Sequence, residues 1–386
     1  MANHSPFDTG FAIYVHWPFC LAKCPYCDFN SHVRHQKVDA DAFAGALVAE
    51  LQYFHRLTRD RTVTSVFFGG GTPSLMPPKC VEQVISGIYD LWEVATDAEI
   101  TLEANPTSIE ARNFAGYKTA GVNRVSVGVQ ALNDKDLRML GRQHSASEAL
   151  AAFNLAGKTF ERTSFDLIYA RPDQSVADWR CELQQALGEQ QGHMSLYQLT
   201  IEPETAFEQL HAVGKLTVPD DDLAAALFDV TQELTDKAGL PAYEISNHAA
   251  DNHQSQHNLL YWRYGEYIGV GAGAHSRLLN DKGRLALSAH KHPETWLDQV
   301  RTTGNGIIET EELSLTDQSR EFLLMGLRLK EGVNLQRYRQ LFGETIAADK
   351  ITDLTEQGFI LPHQTGFAAT KTGMRVLNSL IGLLAN

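Results

Sequence analysis

The run Ala12-Ile-Tyr14-Val-His16-Trp-Pro-Phe-Cys20-Leu-Ala-Lys-Cys24-Pro-Tyr26-Cys27-Asp-Phe29 holds the chain's most specific pattern. A short apolar strand, Ala12–His16, feeds into a loop carrying three cysteines spaced x3 then x2. Three thiolates on so short a loop can grip three irons of a 4Fe–4S cube and leave the fourth without a protein ligand. An open iron is where a small molecule can bind and be reduced. A structural zinc site is the competing use of such cysteines. It wants four protein ligands in closed tetrahedral geometry, usually as two paired sets. No second pair exists here, and His16 or His32 would have to serve as the fourth ligand. A disulfide framework fits less well, since an acidic chain of 386 residues needs no staples.

Outward from that loop the chain reads as a series of strand–helix units. A helix over about Asp39–Leu57 precedes the strand Val63–Phe68, which ends in Gly69-Gly-Gly71-Thr72-Pro73. Helix Pro78–Trp92 leads to a strand ending Ile100–Glu103, and helix Ile109–Thr119 to the strand Arg124–Val129, ending at Gln130. Helices near Asp134–Leu140 and Ala146–Gly157 lead to Thr163–Ile168, and Val176–Leu187 leads to His193–Leu199. The strands are short apolar runs without polar alternation, the mark of a parallel sheet covered by helices. Six units can curl into a partial barrel or lie as an open wound sheet. Gly71, Thr72, Glu103, Gln130 and Asp166 fall at or just beyond strand C-termini, the edge that carries chemistry in parallel α/β folds. Any one of them alone reads as a turn residue or helix cap; five in consecutive units, on the edge that bears the cysteine loop, read as a site.

Composition bounds the rest. With 43% hydrophobic residues the chain can bury a full core. Of its five cysteines, Cys80 and Cys181 lie outside the motif, in helices, and read as buried small side chains. Met1–Gly10 has no basic or apolar leader region, and no apolar run reaches the length of about 18 residues a membrane span needs. A reducing cytoplasm is the expected compartment. A net charge of −14 argues against nucleic acid, whose readers carry a basic face, and leaves room for peripheral contact with basic or membrane-bound protein partners.

Past residue 240 the pattern changes. Tyr243–His248 reads as an edge-like strand. The segment His253-Gln-Ser-Gln-His257-Asn258-Leu-Leu-Tyr261-Trp262 is dense in aromatics and histidines. The glycine run Gly269-Val-Gly271-Ala-Gly273 suits close backbone approach, as at a ligand. The tail reads as a small separate module: Thr316 caps a helix over Asp317–Leu329, helices follow at Leu335–Leu341 and Thr345–Glu356, then a hairpin about Gly358–Thr370 and a last helix from Lys371. That order is winged-helix-like, and without a basic stripe it suits a lid or docking role. The expected divisions are a core barrel over 1–240, an extension over 241–312 and the tail over 313–386.

These motifs identify the chain as similar to the radical S-adenosylmethionine family of anaerobic coproporphyrinogen III oxidases and their relatives. The resemblance is carried by Tyr14–Cys20, Gly69-Gly-Gly-Thr-Pro-Ser74, Leu102-Glu-Ala-Asn-Pro106, Arg124–Gln130, Gly141-Arg142-Gln-His144 and Phe165-Asp166-Leu-Ile-Tyr169, and spans nearly the whole chain. Within the family, oxidases carry a fourth cysteine two residues after the third, where this chain has Phe29. His257-Asn258-Leu-Leu-Tyr261-Trp262 resembles the His-Asn-x-x-Tyr-Trp motif of the HemW branch of haem chaperones. The chain departs from the branch pattern at Ala170-Arg-Pro-Asp173, where Gly-Leu-Pro-Gly is commoner.

The resemblance implies an α/β fold: a partial (β/α)6 barrel with a mainly α, winged-helix-like C-terminal module. It implies a 4Fe–4S cluster on Cys20, Cys24 and Cys27, and S-adenosylmethionine contacts at Tyr14, Tyr26, Gly71, Thr72, Glu103, Gln130, Arg142 and Asp166, with Thr200 and His275 at weaker positions. Glu103 and Asp166 suit the ammonium and ribose hydroxyls, and Arg142 the carboxylate. Two functions follow. A haem-binding protein that delivers to recipient haemoproteins would use His257 as iron ligand, with Asn258, Tyr261 and Trp262 beside it, against the plain reading of His257 as a core histidine. An oxygen-independent coproporphyrinogen III oxidase would use the same cluster for propionate decarboxylation. Radical methylation is a third, more remote class.

Overall fold

A computed structural model describes residues 9–281 and 283–385. Most of the N-terminal stretch read as lacking a leader, residues 1–8, lies outside the described residues. Six strands run parallel in chain order: β1 Phe11–Trp17, β2 Thr62–Gly70, β3 Glu93–Ala104, β4 Arg124–Gln130, β5 Arg162–Tyr169 and β6 His193–Gln198. Helices Ala40–His55, Pro78–Leu91, Phe114–Ala120, Ala146–Thr159 and Val176–Glu189 connect them. The fold is the expected partial (β/α)6 barrel. Two helices start on reciprocal caps, Ser145 with Glu148 and Ser175 with Asp178, which satisfy first-turn N–H groups.

Alternation along each strand sorts the side chains. Phe11, Ile13, Val15 and Trp17 of β1 join Val66 and Phe68 of β2 in the main core under the helices. The other face is polar: Ser65, Thr101, Ser126, Ser164 and Ser195 are all buried on it. Register sets these side by side, with Glu103 beside Ser126, Ser126 beside Ser164, and Asp166 beside Ser195.

The sheet extends at both edges. Beyond β6 lies β7, Asn247–Ala249, antiparallel. Beyond β1 lies β8, Glu266–Val270, which is parallel to it, and then antiparallel β9 His275–Asn280, β10 Gly283–Ala289 and β11 Ile307–Glu312. The eleven strands form one row whose ends do not meet. β11 ends that row in exposed acidic residues, which guards an open edge against further pairing.

The glycines after Ile268 make close approaches within the chain itself: a Cβ on Gly271 would stand 2.3 Å from the His16 carbonyl, and one on Gly273 would stand 2.3 Å from the Asn30 side-chain Nδ2. Both have positive φ. Cys181, expected buried, is exposed, whereas Cys80 is buried as expected.

The tail holds helices Leu315–Gly326, Leu335–Phe342, Ala348–Glu356, Lys371–Arg375 and Leu377–Ala385, and a three-stranded sheet of Val333–Asn334, Gly366–Ala369 and Ile360–His363. Ser314, not Thr316, caps the first helix. Phe322, Leu323, Phe342, Phe367 and Leu380 form its own core, which borrows Tyr264 from the barrel side.

Candidate functional site

A cavity of about 480 Å³ opens at the C-terminal end of the barrel strands, and all three motif cysteines line it. The cysteine loop is held by backbone pairing: His32 N–H donates to the Pro18 carbonyl at 2.7 Å and Arg34 N–H to that of Cys20 at 3.2 Å. Asn30 Nδ2 ties the loop to the carbonyls of Ala272 and Lys291 at 2.8 and 2.9 Å. Thr72 Oγ1 donates to Cys20 Sγ at 3.3 Å, and Arg142 Nη1 to Cys24 Sγ at 3.5 Å. Burial pushes the Cys20 thiol up to about 11 and raises Cys27 as well. Such thiols ionise when a metal takes the proton's place on sulfur, so binding is coupled to proton release. Among the described residues no three His, Cys, Asp or Glu side chains converge on one point. A compact single-ion site, the zinc alternative, has no ready donor set, while three thiols around a cavity with an adjacent guanidinium suit a larger, negatively charged cluster.

Eight of the ten expected cofactor contacts line this cavity: Tyr26, Gly71, Thr72, Glu103, Gln130, Arg142, Asp166 and Thr200. Asp166 lies within β5, on its inner face, and accepts from Ser126 and Ser164, both at 2.7 Å. Burial first, and the nearby Asp166 charge second, push Glu103 up to about 8; burial raises Asp166 too. The Arg124 guanidinium partly offsets Asp166, and a ligand ammonium beside Glu103 would complete the arrangement. Gln130 holds φ 70° with its buried Oε1 unpartnered, and Arg142 keeps Nε unpartnered. An acceptor, a cation and two carboxyls left open in one cavity match the amino, carboxylate and hydroxyl groups of S-adenosylmethionine. Thr200 sits at the rim, bonded to Glu202 at 2.6 Å.

Sequence reasoning passed over Asn105, which accepts from Arg142 and donates to Thr72 Oγ1 at 3.3 Å. It also passed over Arg124, His193 and Ser195 on the cavity wall. The period-2 step back from Ser126 reaches Arg124, whereas His193 and Ser195 lie on β6, and only the pairing of Asp166 with Ser195 brings them to the wall.

Tyr14 and His275 do not face the first cavity. They line a second one of about 640 Å³, and only Glu103 of the expected contacts borders both. The four residues expected around haem also diverge. His257, Asn258, Tyr261 and Trp262 share the helix Gln256–Trp262. His257 points into the barrel at 3% exposure, its Nδ1 hydrogen-bonded to Ser65 Oγ at 3.0 Å and its ring stacked on Phe67 at 4.9 Å. Burial lowers its pKa to about 3. Asn258 borders the first cavity and Tyr261 the second. Trp262 lies under the Arg328 guanidinium of the tail, 5.5 Å away. They do not make one flat surface.

The Ala170–Asp173 loop takes its shape from Arg171. That guanidinium is buried, donating to the Ile168 carbonyl at 2.8 Å and pairing with Asp136 at 2.9 Å and with Glu182. Ala170 and Asp173 have φ of 56° and 59°. These are the positions where glycine is commoner in the branch.

The profile of the radical SAM superfamily matches residues 14–181, and that of the HemN C-terminal domain matches residues 313–376. The haem chaperone HemW of Escherichia coli is 36% identical, with 96% of this chain and 97% of the relative aligned. The chain belongs to the HemW family of radical S-adenosylmethionine proteins. Another relative, the mitochondrial radical S-adenosyl methionine domain-containing protein 1 of Bos taurus, is 39% identical over 96% of this chain and 86% of its own length. Coproporphyrinogen III oxidase (HemN) of Escherichia coli superposes with a TM-score of 0.81 at 21% identity, covering 98% of this chain and 91% of its own. It shows a shared fold from barrel to tail. Membership of the radical SAM superfamily implies a 4Fe–4S cluster and S-adenosylmethionine as cofactors.

Proposed function

We propose that this chain is a haem chaperone, which binds haem and passes it to recipient haemoproteins, and which holds S-adenosylmethionine beside its cluster. The observation that carries this is its near full-length likeness to HemW of Escherichia coli. Phe29 supports it: where an oxidase would place a fourth cysteine, this chain puts an apolar ring, 59% exposed, on the border of both cavities. Cys20, Cys24 and Cys27 would hold the cluster. Arg142, Glu103, Asp166 and Gln130 would orient the cofactor's charged and hydroxyl groups. When bound, cluster and cofactor supply a reducing iron site and a source of the 5′-deoxyadenosyl group. We place the protein in the cytoplasm; no helix of the described residues is long and apolar enough to cross a membrane, so membrane-bound haemoproteins would be met peripherally.

The second reading is coproporphyrinogen III oxidation, favoured by the completeness of the first cavity. An anaerobic assay of the reconstituted protein with coproporphyrinogen, beside a haem titration, separates them. The chaperone reading expects haem binding and no protoporphyrinogen. Product above that of a Cys24→Ala control would overturn it.

A further inference from the structure

We propose that the second cavity is the haem site and that His275 is the axial ligand to its iron. This rests on the reading of the chain as a haem carrier and gives that reading a place.

Three histidines face this cavity; His16 is engaged through both ring nitrogens and His32 through one, so His275 alone has both open among the described residues. His16 is bonded through Nδ1 to the Tyr14 hydroxyl at 3.1 Å and through Nε2 to the Asn30 carbonyl at 2.9 Å. His32 uses Nε2 on Asn30 Oδ1 and on the Lys291 carbonyl, both at 3.2 Å. The His275 imidazole has no hydrogen-bond partner among the described residues, and the residue is exposed at the cavity wall. Partial burial, then the charges of Arg277 and Lys291, lower its pKa, which keeps the ring neutral and able to donate a lone pair to iron. His257 is placed badly for the same work. To reach a macrocycle, its helix would have to leave the barrel and break the bonds from Ser255 Oγ and His257 N–H to Glu99 Oε1, both 3.2 Å.

The cavity's size and walls suit the cargo. Its volume of about 640 Å³ lies within the roughly 300–1,000 Å³ of small-molecule sites. Tyr261 and Tyr267 pack ring against ring at 4.2 Å on its wall, and Phe29 adds an apolar face otherwise left in water. Lys23 and Lys291 reach it without an ion-pair partner among the described residues and can take the two propionates. Asp28 and Glu204 face the same space, so the propionates belong on the lysines' side. Because Glu103 and Phe29 border both cavities, haem bound here lies against the cofactor site.

The test is a haem titration of the full-length, cluster-reconstituted protein, read at the Soret band, with iron content and S-adenosylmethionine affinity measured in parallel. His275→Ala should weaken haem binding at least about tenfold and shift the Soret maximum, leaving cluster and cofactor affinity unchanged. Free imidazole should restore the band in His275→Gly, which a merely structural role would not allow. Lys291→Glu, at an exposed position, should weaken binding about two- to fivefold, in line with a partly exposed ion pair. His257→Ala should keep the wild-type band. An unchanged Soret band in His275→Ala, or a loss of cofactor affinity in place of haem affinity, overturns the proposal. Wild-type protein that binds no haem overturns the chaperone reading itself, and this site with it.

Discussion

Ala170 and Asp173 hold left-handed backbone torsions that an L side chain adopts at a cost of about 1–2 kcal/mol. Arg171 between them is buried and paired, which compensates for that strain locally. Ala170→Gly should therefore stabilise the protein by about 0.5–1 kcal/mol, the relief of strain less the added chain entropy of glycine; a lower denaturation midpoint would refute this. The motif cysteines are equally specific. Replacing Cys20, Cys24 or Cys27 with Ala should abolish the brown chromophore, because the remaining cysteines lie elsewhere, one buried in the main core and one exposed. Full iron content in Cys24→Ala would sink the cluster assignment. Glu103→Ala and Asp166→Ala should each weaken S-adenosylmethionine binding roughly tenfold to a hundredfold by calorimetry, the loss of a charged hydrogen bond of about 1.5–3 kcal/mol, with cluster content intact. Equal affinity in both would place the cofactor elsewhere.

The six parallel strands were legible because each is a local apolar run between helices, and register then carried Glu103, Gln130 and Asp166 into one cavity. β8 was not legible. Its partner β1 lies some 250 residues earlier in the chain, and a run as short as Glu266–Val270 carries no signal of that pairing. The division of the cofactor contacts into two cavities was hidden for the same reason. Tyr14 and His275 meet only once β8 and β9 stand beside β1. The helix Gln256–Trp262 shows how a motif spreads its effects, since His257 serves the barrel interior and Trp262 the tail. The main core draws no residue from beyond 307, while the tail's core needs Tyr264. Ending the chain after residue 312 should leave the barrel folded with its cluster, expose Tyr264 and the Arg277 partner site of Glu321, and impair haem retention or transfer. A truncated protein that transfers haem normally would contradict a docking role for the tail, and loss of the barrel's fold would contradict their separability.

At the scale of the whole molecule, buried titratable groups set a pH optimum for stability. His16, His144 and His248 are pushed down to about 4 by burial, His257 to about 3, and His193 well below its ordinary value. Between about pH 4 and 6.5 the unfolded chain protonates these rings and the native one does not, so their contribution rises with pH through that window. Glu50 and Glu103 act in the opposite sense. Glu50, which accepts from the N–H groups of Gly271 and Gly306 and from Trp296, is raised by burial to about 7, and Glu103 to about 8. The native state keeps their protons above the ordinary value of 4.5, so their stabilisation is complete below that value and is lost as pH climbs through 7 and 8. Below pH 6.5 the histidines, His32 and His275 with them, outnumber the raised carboxyls, which include Glu110, Asp166 and Glu244; above it the carboxyls, and then the raised thiols of Cys20, Cys27 and Cys80, differ between the states and act downward. Thermal midpoints of the metal-free chain should thus rise from pH 5 to a maximum near 6.5 and fall by pH 8.5, and Glu50→Gln should flatten the upper limb. A midpoint that climbs steadily to pH 8.5, or one highest at pH 5, would show that these groups are not buried in the charge states the fold assigns them.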